Sequence, residues 1–280
     1  MCIRDSIWIP QYGWRYAFNA AYLPLILVPF LVVYLPESVR FLEKKGEIGE
    51  IRKILTSYGL AERVEELEIK PAPASKSDVR KLFAPGYLRR TLILWTLWAA
   101  LVYTYHGIFI WLPYIYATKL GFTIVKSLFW VLVITLVQVP GYYSAALLLD
   151  KAGRKSVLSI YLAVAGVACL LLSAARDISL ILLYSGVISF FNLGAWAGLY
   201  AYTPELYPTE LRGTGSGAAA SIGRLAGIAA PTVTGFLFAI SGGELLYAFI
   251  VFSLVHVIAS AVVAVFGEET KGRTLEEISR

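Results

Sequence analysis

Residues 178–204 read ISLILLYSGVISFFNLGAWAGLYAYTP and contain no Asp, Glu, Lys or Arg. A helix needs about 20 apolar residues to cross a bilayer, so this stretch predicts a membrane-spanning helix. The same charges are missing from residues 16–36, 91–118, 127–149, 156–175 and 245–267. One more interval, residues 213–243, is interrupted only by Arg224. The sequence therefore predicts an all-α, polytopic helical membrane protein with seven membrane helices.

The composition agrees with this fold class and argues against several other classes. Of the 280 residues, 58% are hydrophobic and 16% are charged, whereas soluble domains are about 45–50% apolar and about 25% charged. The net charge of +6 does not indicate nucleic-acid binding, because basic residues in 37–90 are mixed with nine Asp and Glu. The two cysteines, Cys2 and Cys169, exclude a disulfide framework and a cysteine metal cluster. With no phosphate loop and no nucleophile beside a base, neither an enzyme nor a cofactor or metal site is predicted.

The positions of Lys and Arg orient the predicted helices. Basic residues concentrate in the loop of residues 37–90 and in the turn from Asp150 to Lys155, so both are expected to be cytoplasmic. The predicted organisation is an atypical N-terminal segment (1–13), a membrane helix (14–36), a cytoplasmic loop (37–90), a six-helix domain (91–267) and a cytoplasmic tail (268–280). The expected location is the plasma membrane, with the lipid bilayer as a partner.

The long loop carries two short patterns of helical period. Ile48, Ile51, Leu55 and Tyr58 are spaced for one face of a helix, and residues 79–83 are similar, which favours amphipathic helices on the cytoplasmic face. Residues 71–75 form a proline-containing linker between them. A disordered tether is the alternative interpretation of this loop.

Four segments at the predicted cytoplasmic ends resemble motifs of sugar-porter-like transporters in the major facilitator superfamily. They are PESVRFL (36–42), DKAGRK (150–155), PELYPTELRGTG (204–215) and EETKG (268–272). The resemblance implies the major facilitator fold, with this chain as helix six and the six-helix C-terminal half of a twelve-helix transporter. A missing N-terminal half is then an implied partner, and the chain is either a natural truncation or an incomplete gene.

The same resemblance implies a cytoplasmic gate made of salt bridges. An Arg at a helix end can pair with a carboxylate on a neighbouring helix end, and such pairs form and break as two bundles rock about a central site. The alternative is that these charges only fix topology and cap helices. The expected gating residues are Glu37, Arg40, Asp150, Arg154, Glu205, Arg212 and Glu269.

The substrate class is narrowed by the first span of the six-helix domain. Residues 91–118 lack the Gln and Asn by which sugar porters bind hydroxyl groups. Residues 103–113 read YTYHGIFIWLP, which resembles bacterial nicotinate permeases and organic ion transporters. The resemblance implies alternating-access symport of a small organic ion, such as an aromatic or heteroaromatic carboxylate like nicotinate, with a proton as the coupling ion. A proton-coupled sugar transporter and a non-transporting membrane fragment are the alternatives.

Arg224 is the residue most indicative of a binding site. It lies twelve positions after Arg212, so at about 1.5 Å per residue it is roughly 18 Å along the helix, near mid-membrane. An ionisable side chain at this depth is a functional-site candidate by default, and a guanidinium pairs well with a carboxylate. An ion pair with the missing half and snorkelling to the surface are the alternatives.

Weaker binding candidates accompany Arg224 on other helices. In the family, these helices line the central cavity, and aromatic side chains suit flat organic rings. Interhelical packing with a hydrogen bond is an equally acceptable interpretation for each of them. The further candidate substrate-binding residues are Asn192, Trp196, Tyr103, His106, Gln138 and Tyr142.

Overall fold

The structure, a computed structural model, describes residues 19–59, apart from 40, 41, 43 and 44, and residues 78–273. Within them, the secondary structure is helical and no strand occurs. The chain divides into two compact units, one with residues 8–76 and one that includes residues 77–280. The predicted segment 1–13, the linker 71–75 and Arg40 lie outside the described residues.

The smaller unit contains a short apolar helix and an amphipathic one. A 3₁₀ helix, Ala20–Ile26, leads into helix α1, Leu27–Tyr34, which has no buried residue. Helix α2, Ile48–Ser57, buries Ile51 and exposes most of its polar residues. The predicted membrane helix 14–36 is thus helical from Ala20 to Tyr34, with Pro24 inside the 3₁₀ segment. The predicted helix at Ile48 is present.

The larger unit is a bundle of long helices preceded by a 3₁₀ turn, Val79–Phe83. Six segments of it are long and apolar enough to cross a membrane, which confirms the predicted fold class. The helices are α3 (Pro85–Phe109), α4 (Leu112–Lys119), α5 (Ile124–Leu136), α6 (Gln138–Ala152), α7 (Arg154–Ala174), α8 (Ile178–Glu205), α9 (Thr209–Ile240) and α10 (Leu246–Phe266).

Two of the predicted spans are interrupted helices rather than single ones. The span 91–118 breaks at Ile110 and Trp111, and α4 resumes with Pro113 in its first turn, where the missing N–H costs nothing. The span 127–149 breaks at Val137, shortly before Pro140. Charge patterning cannot detect such breaks, because proline carries no charge.

Local sequence signals explain where other helices begin. Asp177 accepts hydrogen bonds from the backbone N–H groups of Ser179 and Leu180 and caps α8. Thr123 caps α5 in the same way, because its side chain accepts a hydrogen bond from the backbone N–H of Lys126. Helix α3 begins at Pro85, six residues before the first charge-free interval of this domain, so it includes Arg89 and Arg90.

Four helix pairs hold the bundle together. Helix α9 packs along α3, α10 packs along α7, and α8 lies against both α6 and α7. Gly223 and Gly227 of α9 face α3, where a Cβ on either residue would meet Val102 at 2.9 or 2.8 Å. Because Gly223 lies at the contact with α3, the residue that follows it, Arg224, lies beside helix α3.

Candidate substrate and gating sites

Arg154 joins the turn after α6 to the end of α8. Its Nε donates to both carboxylate oxygens of Glu205 at 3.2 Å, and its Nη2 lies 3.1 Å from Oε1. Both side chains are about one-fifth exposed, at 20% and 22%. Asp150 is a weaker partner, with Oδ1 3.5 Å from Arg154 Nη1 and 84% of its side chain exposed. The structure thus brings together three of the predicted gating residues.

Glu269 enters the same group of charges from the tail. Its Oε1 accepts hydrogen bonds from the backbone N–H groups of Arg154, Thr270 and Lys271, at 2.8, 3.0 and 3.1 Å. The carboxylate therefore lies at the N-terminus of α7, where the helix dipole favours a negative charge. We call Asp150, Arg154, Glu205 and Glu269 the Arg154 cluster.

The other predicted gating residues are placed differently. Arg212 is not paired with a carboxylate among the described residues: its Nε donates to the carbonyl oxygen of Pro204 at 2.9 Å, and its Nη2 is buried without a partner. The expectation of a salt bridge at Arg212 needs this correction, since the end of α8 offers it a backbone acceptor. Glu37 is exposed and accepts a 3.4 Å hydrogen bond from the N–H of Ser38.

A second charged contact at the same end was missed by the sequence interpretation. Arg90 Nη2 lies 2.9 Å from Glu268 Oε2, and the Arg90 side chain is only 12% exposed. Arg89 donates to the carbonyl oxygen of Phe266 at 2.7 Å. The signal was available in the sequence, because the two arginines directly precede one span and Glu268 directly follows another.

Arg224 lies on the exposed side of α9 and makes no ion pair or hydrogen bond with another described residue. A residue in an α-helix is rotated by about 100° from the one before it. Gly223 faces α3, so Arg224 lies to one side of the α3–α9 contact. Ala226, about 160° away around the helix, lines a cleft on the other side.

Trp196 belongs to an aromatic cluster that includes residues the sequence interpretation did not select. Its ring centroid lies 5.6 Å from that of Trp98, 5.4 Å from that of Tyr200 and 6.4 Å from that of Tyr105. Trp98 donates through Nε1 to Thr203 Oγ1 at 3.0 Å, which fixes its orientation. We call Trp98, Tyr105, Trp196 and Tyr200 the aromatic cluster. A Cβ on Gly223 would lie 3.2 Å from Trp98, so the cluster borders the turn of α9 that carries Arg224.

Asn192 is fully buried within the bundle rather than at an open surface. Its Nδ2 lies 3.2 Å from Thr104 Oγ1 and 3.0 Å from His256 Nε2. In this conformation Asn192 therefore joins α3, α8 and α10 and is closed to a ligand.

Tyr103 and His106 lie on other faces of α3. The Tyr103 ring packs on Phe252 with centroids 5.8 Å apart and lines the cleft that contains Ala226, so it is separated from Arg224. His106 Nδ1 lies 2.9 Å from the carbonyl oxygen of Val102, and a Cβ on Gly227 would lie 3.6 Å from that nitrogen. His106 is therefore at the α3–α9 contact.

The predicted pair on α6 is divided between interior and surface. Gln138 is 5% exposed and its Nε2 has no hydrogen-bond partner in the described part of the chain, whereas Tyr142 is 40% exposed. The structure does not bring either of them into the aromatic cluster.

At the opposite end of the bundle, α4 is tied to the loop between α9 and α10. Lys119 Nζ lies 2.7 Å from Glu244 Oε1. The hydrogen bond from Lys119, together with its charge, lowers the pKa of the exposed Glu244 carboxyl. A cavity of about 550 Å³ borders this pair and is also lined by Arg176.

Comparison with known proteins places the chain among membrane transporters. The family described as "Sugar (and other) transporter" matches residues 5–280. The niacin transporter NiaP of Acinetobacter baylyi is 38% identical over 96% of this chain and 62% of its own length. A candidate niacin/nicotinamide transporter NiaP of Bacillus subtilis is 37% identical over 96% of this chain and 60% of its own length.

The solved structures that match have the same fold. The major facilitator proton:xylose symporter XylE with bound 6-bromo-6-deoxy-D-glucose gives a TM-score of 0.72 at 22% identity, over 99% of this chain and 62% of that one. The inward-open xylose transporter XylE of E. coli gives a TM-score of 0.61 at 23% identity, over 97% of this chain and 57% of that one. The chain spans about 60% of the length of the niacin transporters that it matches.

Proposed function

Since the chain belongs to the sugar (and other) transporter family of the major facilitator superfamily, we propose that it forms part of a secondary transporter for a small aromatic carboxylate such as nicotinate. In this proposal the chain supplies helix six and the C-terminal half. The substrate crosses the membrane by alternating access, with a proton as the coupling ion.

The observation that carries this proposal is the identity of 38% and 37% to two niacin transporters over nearly the whole chain. Nicotinate combines a flat heteroaromatic ring with one carboxylate. A site for it needs a cation for the carboxylate and an apolar or aromatic surface for the ring. The larger unit has both groups on neighbouring turns of α3, α8 and α9.

Arg224 is the cation in this proposal. A guanidinium donates two parallel N–H bonds to a carboxylate, which gives both affinity and orientation. The side chain is exposed and is not bound to another described residue, so its donors are available. None of the seven predicted membrane spans contains an Asp or Glu. In this proposal, the anionic substrate therefore supplies the counter-charge of Arg224.

The aromatic cluster is the surface for the ring. Offset and edge-to-face contacts between aromatic rings add about 0.5–1.5 kcal/mol beyond burial of their area. Tyr200, which is 54% exposed, offers the accessible member of the cluster. Trp98 and Trp196 lie behind it and hold its ring in place.

The Arg154 cluster acts as the gate in this mechanism. Its charges come from α6, α7, α8 and the tail, so the cluster holds these ends together when it is formed. The Arg154–Glu205 pair is mostly buried, at 20% and 22% exposed, whereas an exposed contact such as that of Asp150 contributes only about 0–1 kcal/mol. The helix ends can separate only when the contacts of the cluster break together. The Arg90–Glu268 contact adds α3 to the same group of helix ends.

Uptake by the purified protein tests the proposal. The protein is expressed from the complete open reading frame that encodes this chain, reconstituted in vesicles and supplied with radiolabelled nicotinate. We expect saturable uptake that unlabelled nicotinate inhibits at least tenfold more strongly than nicotinamide or xylose. Saturable uptake of xylose with no uptake of nicotinate would support a sugar transporter instead.

A further inference from the structure

His256 has no role in the proposed mechanism, and it is buried at the centre of a polar triad. The imidazole is fully buried on α10, between α3, α7 and α8. Its Nδ1 lies 2.8 Å from the carbonyl oxygen of Phe252, and its Nε2 lies 3.0 Å from Asn192 Nδ2. Asn192 in turn donates to Thr104 Oγ1.

The hydrogen-bond partners fix the protonation state of this triad. A carbonyl oxygen only accepts, so Nδ1 carries the ring proton and donates it to Phe252. In the neutral ring Nε2 is then an acceptor, and the Asn192 amide nitrogen is the donor that it needs. The hydroxyl of Thr104 donates to the carbonyl oxygen of Ala100 at 2.9 Å and accepts from Asn192.

One atom of the triad has no partner in this arrangement. Asn192 Oδ1 is buried and accepts no hydrogen bond from the residues that the structure describes. Buried polar atoms are nearly always satisfied, so an orphaned oxygen calls for an explanation. A half-turn of the amide about its terminal torsion exchanges Oδ1 and Nδ2. The oxygen would then face both Nε2 and the Thr104 hydroxyl.

That reversed amide suits the protonated imidazole. An imidazolium donates from both nitrogens, so its Nε2–H needs an acceptor, and the reversed Oδ1 supplies one. The Thr104 hydroxyl can rotate to donate to the same oxygen. The triad therefore has one hydrogen-bond arrangement for the neutral ring and another for the ring with an added proton, in which Asn192 Nδ2 takes the place of the unpartnered Oδ1.

We propose that the triad of Thr104, Asn192 and His256 is a proton-binding site of the transporter. A proton from water adds to the lone pair of Nε2, gives the imidazolium, and leaves to water on the other side of the membrane. This proposal rests on the proposed transport function, since it assigns the residue that binds the coupling ion.

The surroundings of the ring link the proton to the substrate. The titratable or charged side chains in the middle of the helices packed around it are Tyr103, Tyr105 and His106 on α3, Tyr161 and Cys169 on α7, Tyr184 on α8 and Arg224 on α9. No carboxylate of these spans can neutralise the imidazolium. A buried cation without a counter-charge is costly. An anionic substrate or water that enters beside the triad lowers this cost, so the two ligands bind cooperatively.

Two members of the triad are adjacent to the aromatic cluster. Thr104 precedes Tyr105 on α3, and Asn192 lies one turn before Trp196 on α8. Reversal of the Asn192 amide changes the bond that connects these two helices. By reciprocity, proton binding then changes the affinity for substrate by the same factor as substrate changes the affinity for the proton.

A variant of His256 separates proton coupling from substrate transport. Glutamine keeps polar groups beside Asn192 but does not titrate. In vesicles, His256→Gln should show substrate counterflow that no longer changes with pH, and should lose at least tenfold of the accumulation driven by an inward proton gradient. Ser253→Ala, one turn earlier on the same buried face, is the matched control and should retain both the pH dependence and the accumulation. Undiminished accumulation in His256→Gln would overturn the proposal.

Nitrogen NMR of ¹⁵N-histidine in the unsubstituted protein tests the proposal even if the variant does not fold. The His256 signal should show an imidazolium in the presence of nicotinate at a pH at which the ring is neutral without it. A ring that stays neutral with and without nicotinate would overturn it. Transport of nicotinate without proton movement would overturn this inference and the proposed coupling ion but not the proposed substrate, whereas the absence of any carboxylate transport would overturn the proposed function itself.

Discussion

Gly153 shows how a single residue determines the geometry of the Arg154 cluster. Its φ of 88° and ψ of 162° are in a region that is essentially restricted to glycine. A Cβ at this position would also collide with the carboxylate of Glu269. The missing side chain thus allows Glu269 to bind the first N–H of α7.

We therefore expect Gly153→Ala to destabilise the fold by about 1–3 kcal/mol through backbone strain and to displace Glu269. The change is measured as a lower midpoint of thermal unfolding in detergent. Gly213→Ala is the matched control, because Gly213 is helical, exposed and has no neighbour within 4 Å of a Cβ. Equal midpoints for the two variants would contradict the role assigned to Gly153.

At the residue scale, the sequence predicts which charges matter better than it predicts their partners. The motif around Arg154 and the one around Glu205 place both residues at the same predicted membrane face, and the structure pairs them. Arg212 instead donates to the backbone carbonyl oxygen of Pro204. No pattern of residue types reveals such a contact. Arg90 and Glu268 are 178 residues apart, so only the packing of α3 against α10 brings them together.

At the scale of elements, charge-free intervals predict the spans but not their ends or interruptions. Helix α3 extends beyond its interval because Arg89 and Arg90 find acceptors at the end of α10. Prolines divide two intervals without altering their charge. The aromatic cluster was only partly predicted, since the contact between Trp98 and Trp196 depends on how α3 crosses α8.

The packing of α9 on α3 gives a prediction at this scale. A Cβ on Gly223 would lie 2.9 Å from Val102 Cγ2 and 3.2 Å from the backbone oxygen of Trp98, which cannot move cheaply. Overpacking a close contact costs about 1–3 kcal/mol. Gly223→Val should therefore lower the midpoint of thermal unfolding.

Gly217→Val is the control for this substitution, because Gly217 is on the same helix and a Cβ there would have no neighbour within 4 Å. It corrects for the poor helix propensity of valine. The packing account predicts that the Gly223 variant is the less stable of the two. A Gly217 variant that is equally or more destabilised would argue against it.

At the scale of the whole molecule, the orientation in the membrane is a prediction from the basic residues. The turn that contains Lys151 should be cytoplasmic and the start of α8 should be outside. We expect Ser179→Cys to react with an impermeant thiol reagent in intact cells and Lys151→Cys to react only after the cells are opened. Both positions are exposed in the structure, so the reverse pattern would contradict the orientation.

In the proposed mechanism, Arg224 binds the carboxylate of an aromatic substrate. Equilibrium binding of nicotinate and of its neutral amide, nicotinamide, to the parent protein and to Arg224→Ala tests this claim most directly. A charge-assisted hydrogen bond contributes about 1.5–3 kcal/mol, so the variant should bind nicotinate roughly ten- to a hundredfold more weakly. Arg224→Lys should recover part of this loss, because a point charge lacks the planar fork of a guanidinium.

Binding of the amide distinguishes recognition from structural damage. The account predicts that the parent protein prefers nicotinate to nicotinamide and that Arg224→Ala loses this preference while its affinity for the amide is nearly unchanged. Equal losses of affinity for acid and amide, with the preference intact, would contradict it and would assign Arg224 to structure.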